Sequence, residues 1–150
     1  MPVHENRKEE VPKESQKPNN IRIMNNNDPL NKEIAGTHYK EYKMQPIELI
    51  VACKWDFIQG NIAKYLSRAK YKNGQEDIEK SIHYCEFGKL LQDEGKIIDN
   101  TVIINTYIRI NGLNHEFWSR IFHLINEKKY YSLYAELIRK ENVEKYFLKN

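Results

Sequence analysis

The chain has 150 residues, with 24 lysines and arginines against 21 aspartates and glutamates, which suits one small domain with some additional polar chain. No run of about 18 apolar residues free of charge occurs, and the N-terminus lacks the apolar core of a signal peptide, so we expect no membrane span and a cytoplasmic location. Two cysteines are too few for a disulfide scaffold or a four-thiolate zinc site.

The first 33 residues differ from the rest of the chain in composition. They hold four of the five prolines and no aromatic residue. Such a segment has too little apolar surface to offset the entropy lost on ordering, so we predict a disordered polar tail over 1–33. Residues 34–150 can build one core. We expect a helical core over 34–96 and a C-terminal helical extension, 97–150, packed on it.

Helical signals dominate the body of the chain. Pro46 suits the first turn of a helix over about 46–54. A second helix is predicted from Phe57 to Tyr71, with Asn73 and Gly74 as a left-handed stop. Acidic residues favour the start of a third helix at Glu76, which should end near Gly95.

The stretch 97–110 is ambiguous because its β-branched alternation also fits a strand. A lone strand has no evident partner, so we favour a helix that stops at Asn111-Gly112-Leu113. Asn114 resembles the N-cap of a further helix, and a last helical region is expected over about 131–147. The predicted fold class is all-α: a compact bundle of about five helices.

Familiar phosphate-binding and catalytic motifs are missing. The sequence holds no P-loop, dinucleotide fingerprint, zinc helix or nucleophile elbow. Any phosphate chemistry must therefore use another arrangement of side chains.

The segment after Phe57 offers such an arrangement. Helical spacing places four polar side chains on one stripe of the second helix: Asn61, Lys64, Arg68 and Lys72. Glu76, Asp77 and Glu79 follow the turn and can return toward that stripe. Cations beside carboxylates suit phosphoryl transfer, in which carboxylates hold Mg²⁺. The alternative is a solvated charged face, and spacing alone favours it.

Two further groups of residues carry weaker signals. The His38-Tyr39 pair could contact a nucleotide base or pack the chain onto the bundle. A metal centre from His38, His83 and Asp77 has no supporting ligand spacing. Late aromatics interleaved with cations could stack on single-stranded nucleic acid, but their helical spacing favours a core or a subunit interface, so we expect no nucleic-acid partner.

Four blocks in this order resemble the SaV-like family of small bacteriophage proteins over about residues 36–92. They are Thr37-His38-Tyr39-Lys40, Met44-Gln45-Pro46-Ile47-Glu48-Leu49-Ile50, the run from Phe57 through Gly60-Asn61, Lys64-Tyr65-Leu66, Arg68-Ala69 and Lys72, and Glu76-Asp77-Ile78-x-Lys80. The family includes a nucleotide kinase without a Walker motif.

The resemblance implies a phage protein that acts in the host cytoplasm and transfers a phosphoryl group from a nucleoside triphosphate, such as ATP, to a deoxynucleoside monophosphate. The alternative is a non-catalytic module that binds a nucleotide or a host protein. We expect a homo-oligomer.

The matched positions carry the expected roles. The catalytic residues would be Lys64, Arg68 and Asp77; the nucleotide-binding residues would be His38, Tyr39, Gly60, Asn61, Lys72 and Lys80; Asp77 and Glu76 would hold Mg²⁺. On this reading Arg68→Ala stays folded and loses about a hundredfold in turnover.

Overall fold

The computed structural model describes residues 28–32, 41–71, 73–91 and 95–148. The chain divides into two units, Met1–Lys32 and Glu33–Asn150. In the first unit, Pro29–Asn31 form a 3-10 turn that Asp28 caps through the Leu30 N–H at 2.8 Å. Apart from residues 28–32, the predicted tail lies outside the described residues.

The described part of the second unit is helical and contains no strand, which confirms the all-α prediction. Its helices are α1 (Pro46–Ala52), α2 (Phe57–Arg68), α3 (Gln75–Leu91), α4 (Thr101–Ile110), α5 (His115–Asn126), α6 (Tyr130–Leu137) and α7 (Lys140–Asn142), followed by a π-helical turn, Val143–Phe147. The described residues therefore form seven α-helices, where the sequence predicted about five.

Local signals explain where these helices begin and end. Pro46 is the first residue of α1, as predicted. Gly74 and Gly112 have φ of +52° and +64°, a left-handed conformation that glycine adopts without steric cost. Asn114 accepts the Phe117 N–H at 3.0 Å and caps α5. Residues 101–110 form α4, so the strand alternative is not realised.

The last helical region is broken rather than continuous over 131–147. α6 ends at Leu137, and Arg139 is extended. The Asn142 side chain donates to the Glu136 carbonyl at 3.0 Å. This bond satisfies one of the carbonyls that a helix end leaves without a partner, and so stabilises the break.

One core joins the helices. α2 packs on α3, α3 on α6, α4 on α5, and α5 on α2, so the C-terminal helices cover the helices before them. The largest fully buried side chains come from five helices and the π-helical turn, and include Leu49, Ile62, Ile78, Tyr107, Phe122 and Phe147. Cys53 and Cys85 are buried and unpaired. Among the described residues no helix is long and apolar enough to cross a membrane.

Candidate functional site

The polar stripe of α2 meets α3 around one tyrosine ring. The Tyr65 ring centroid lies 4.4 Å from Lys64 Nζ, 4.7 Å from Arg68 Cζ and 5.3 Å from Lys80 Nζ. Tyr65 also stacks on Tyr84 of α3, with ring planes 16° apart and centroids 6.0 Å apart. We call these five residues, Lys64, Tyr65, Arg68, Lys80 and Tyr84, the cation–aromatic face.

Arg68 is fixed by a carboxylate from the first turn of α3. Its Nε donates to both oxygens of Asp77 and its Nη2 donates to Oδ1, all at 3.1 Å. The Asp77 side chain is fully buried and that of Arg68 is 12% exposed. A forked guanidinium–carboxylate contact is geometrically specific. Asp77 thus holds the Arg68 side chain against the Tyr65 ring.

The two lysines differ in their partners. Lys80 Nζ pairs with Glu76 Oε1 at 3.2 Å, one helical turn earlier, and both side chains are substantially exposed. Such a pair contributes at most about 1 kcal/mol and exchanges readily with another anion. Lys64 is half-buried and has no carboxylate partner among the described residues. The three cations and two carboxylates leave this region with one net positive charge.

Aromatic rings extend the face toward solvent. Tyr84 makes an edge contact with Phe57, centroid to centroid 5.9 Å, and a tilted contact with Phe87 at 6.1 Å. Phe57 is 74% exposed and Phe87 is 42% exposed. Exposed rings beside cations can stack on a planar base while the cations contact phosphate oxygens. This arrangement suits an anionic ligand that carries a ring.

Two matched residues of α2 lie apart from this contact. Gly60 is buried against α1, where a Cβ would come 3.1 Å from Ile50 Cγ2. Asn61 lies on the stripe, but its Nδ2 donates to the Phe57 carbonyl within the helix at 2.7 Å. The structure thus brings together Lys64, Arg68, Asp77, Glu76 and Lys80 from the predicted set. The predicted residues His38, Tyr39 and Lys72 lie outside the described residues.

The predicted magnesium ligands do not fit a direct metal site. Both Asp77 oxygens accept from Arg68, and Glu76 Oε1 binds Lys80. Across the part of the chain that the structure describes, no group of three or more His, Cys, Asp or Glu side chains could hold a metal ion. Metal binding through Asp77 would require Arg68 to give up a buried partner.

Sequence reasoning missed the central ring. The predicted set of site residues does not include Tyr65, yet its side chain is half-buried and its ring lies close to three cations. The signal was present, since Tyr65 lies three residues and Lys64 four residues before Arg68, the spacings at which side chains are neighbours on a helix.

The late aromatics divide between core and surface. Trp118, Phe122, Tyr130 and Phe147 are buried in the core, which is one of the two placements that their helical spacing predicts. Tyr131 is exposed and Tyr134 is half-buried, and Lys89 Nζ lies 5.2 and 4.0 Å from their ring centroids. This smaller cluster therefore offers one cation rather than three.

The described residues thus form a small all-α protein. Its cation–aromatic face has the chemistry to accept an anionic ligand that carries a ring. A family model described as a protein of unknown function, DUF3310, matches residues 31–86, little more than a third of the chain. The matched segment contains every residue of the cation–aromatic face. Neither the curated proteins nor the solved structures include a match to this chain.

Proposed function

We propose that the protein binds a nucleotide at the cation–aromatic face and, as the SaV-like resemblance implies, transfers a phosphoryl group from a nucleoside triphosphate to a deoxynucleoside monophosphate in the host cytoplasm. The observation that carries the proposal is the placement of three cations within 5.3 Å of the Tyr65 ring centroid, beside exposed aromatic rings. Phosphate and base recognition would then occur on one surface.

Each side chain has a role in this proposal. Lys64 contacts the phosphate directly, because it is the cation of the face without a described carboxylate partner. Lys80 exchanges Glu76 for a phosphate oxygen. Arg68, positioned by Asp77, supplies positive potential at the border of the site. Magnesium accompanies the triphosphate, and no step depends on Asp77 or Glu76 as its ligand.

The transfer step is a direct displacement. A 5′-phosphate oxygen of the monophosphate attacks the γ-phosphorus of the triphosphate, the bond to the β–γ bridging oxygen breaks, and a nucleoside diphosphate leaves. Positioning and charge stabilisation supply most of the catalysis in such reactions. The cations of the face would neutralise the equatorial oxygens.

Binding is tested by calorimetric titration of ATP and of each deoxynucleoside monophosphate. Loss of one partly exposed cation costs about 1 to 2 kcal/mol of binding free energy, so Lys64→Gln should bind about tenfold more weakly than the natural chain. Lys89→Gln is the matched control, because Lys89 also lies over tyrosine rings of this chain. Equal affinities for the natural chain and Lys64→Gln would remove Lys64 from the site.

The second candidate is a nucleotide-binding module without catalysis. The complete engagement of Asp77 by Arg68 favours it, since a kinase normally presents a carboxylate to the metal. A transfer assay with γ-labelled ATP and the four deoxynucleoside monophosphates separates the candidates. Labelled deoxynucleoside diphosphate supports the kinase, and binding without transfer supports the module. Homo-oligomerisation and a host-protein partner stay predictions.

A further inference from the structure

A cavity of about 160 Å³ lies between α2, the end of α4 and the C-terminal turn. Its α2 residues are Leu66 and Ser67, with Lys70 just beyond the helix. On a helix these positions lie opposite Tyr65 and Arg68, because successive residues are rotated by about 100°. The cavity is therefore distinct from the cation–aromatic face.

Aromatic rings form part of the wall of this cavity, since five of its twelve lining residues carry one. Tyr107, Trp118 and Phe147 line it, and each is buried. An apolar cavity of about 150 Å³ is known to hold benzene, so this volume accommodates one six-membered ring but not the two fused rings of a purine. The lining thus selects for a small planar group.

Two cations line the same cavity. Lys70 is half-buried and Lys145 is exposed. Their ammonium groups lie 4.9 and 5.2 Å from the ring centroids of Tyr71 and Tyr146, and neither has a carboxylate partner among the described residues. Asn114 also lines the cavity, and its Oδ1 accepts the Phe117 N–H at the start of α5. Two uncompensated positive charges beside an aromatic cavity favour an anion.

We propose that this cavity binds a monocyclic aromatic or heteroaromatic ring that carries an anionic group, with the ring packed against Trp118 and Phe147 and the anion at Lys70 and Lys145. A pyrimidine nucleotide and a small aromatic carboxylate share this chemistry. The proposal does not depend on the function of the cation–aromatic face.

Tryptophan fluorescence tests it directly. The chain has two tryptophans, and Trp55 does not line the cavity, so Trp55→Phe leaves Trp118 as the only indole. Deoxycytidine monophosphate represents the pyrimidine nucleotides and benzoate represents the aromatic carboxylates, and each is titrated into the protein. Deoxycytidine supplies a ring without the anion, and inorganic phosphate supplies the anion without a ring.

We expect saturable quenching of Trp118 by at least one of the two anionic rings, and binding at least about tenfold weaker for both partial ligands. Lys70→Gln/Lys145→Gln should weaken the binding about tenfold or more, whereas the charge-matched control Lys96→Gln/Lys140→Gln should not. Quenching by only one of the two anionic rings supports the proposal and shows whether the ligand is a nucleotide or an aromatic carboxylate. Calorimetry on the chain with both tryptophans provides the same comparison should Trp55→Phe perturb the fold.

The opposite results would overturn the proposal. It would be contradicted if neither anionic ring quenched Trp118 saturably, or if inorganic phosphate bound as tightly as the ring-bearing anions. It would also be contradicted if Lys70→Gln/Lys145→Gln left the binding unchanged. Lys64→Gln leaves Trp118 quenching unchanged if the two sites are separate. Failure at the cavity therefore leaves the proposed function standing, and failure at the cation–aromatic face leaves the cavity standing.

Discussion

The Arg68 guanidinium donates three hydrogen bonds at 3.1 Å to the fully buried Asp77 carboxylate and thereby ties the end of α2 to the start of α3. This contact changes what a substitution at Arg68 means. Sequence reasoning expects Arg68→Ala to fold normally and lose turnover. The substitution leaves the Asp77 carboxylate buried without its cationic partner, so its first effect should be a loss of folding stability.

Arg68→Ala should lower the free energy of unfolding by about 3 to 5 kcal/mol, the usual cost of removing one partner of a buried pair. Urea denaturation measures it. Replacing both partners by apolar residues, as in Arg68→Met/Asp77→Leu, should recover most of the loss because no charge stays buried. A single variant within about 0.5 kcal/mol of the natural chain would show that the pair contributes little.

Gly88 is required by the close approach of α3 to α6. A Cβ at this position would lie 2.5 Å from Cγ of the Tyr130 ring. Gly88→Ala should destabilise the protein by about 1 to 3 kcal/mol through overpacking, as measured by thermal unfolding.

Two variants check the cause of that loss. In a Tyr130→Ala background, Gly88→Ala should change the stability very little, because the ring with which the new Cβ clashes is absent. Gly60→Ala is the milder comparison, because its Cβ meets only the flexible Ile50 side chain at 3.1 Å. Equal losses for the two glycine variants would argue against the Tyr130 clash.

Both cysteine thiols should resist chemistry in the folded state. Burial raises the pKa of Cys53 and of Cys85 to about 12, from 9.0. At pH 8 a disulfide reagent should therefore label neither thiol in the native protein and both in urea. Rapid labelling without denaturant would contradict this burial.

The same shifts predict a loss of stability at high pH. Above about pH 9 the unfolded thiols lose protons that the folded thiols retain, so the unfolded state binds fewer protons and the free energy of unfolding falls as pH rises toward 12. Below about pH 8 these thiols contribute no pH dependence. In Cys85→Ala the decline between pH 9 and 11 should be shallower than in the natural chain.

Tyr65 should matter through its ring rather than its hydroxyl. Tyr65→Phe keeps the surface over which Lys64, Arg68 and Lys80 lie, whereas Tyr65→Leu removes it. We expect the phenylalanine variant to retain ATP affinity and the leucine variant to lose about 1 to 2 kcal/mol, an ordinary value for cation–π and stacking contacts. Calorimetry with ATP compares the natural chain, Tyr65→Phe and Tyr65→Leu. Equal ATP affinity in these three proteins would exclude a role for the ring.

Much of the fold was predictable because its signals are local. Gly112 and Asn114 stop and cap helices through their own backbone or side-chain chemistry, as predicted. Gly74 is left-handed as predicted, but α2 ends earlier, at Arg68 rather than Tyr71. The break after α6 was not predictable, because it depends on a bond from Asn142 back to Glu136 that no short pattern encodes.

The candidate site was predictable only as a set of neighbours on one helix. Spacing placed Lys64 and Arg68 on one stripe and suggested that Asp77 could approach it. Whether Asp77 faces solvent, a metal or a guanidinium is decided by the packing of α3 on α2, which buries it completely. The importance of Tyr65 likewise depends on Tyr84, which lies on the other helix.

The central claim is that nucleotides bind at the cation–aromatic face, and amide chemical-shift mapping with ATP tests it most directly. ATP is suitable because its purine is too large for the second cavity. We predict saturable shifts at the amides of Lys64, Tyr65, Lys80 and Tyr84 in the natural chain and in Lys89→Gln, and much weaker binding in Lys64→Gln. Saturable shifts confined to other parts of the chain, or none at millimolar ATP, would contradict the account.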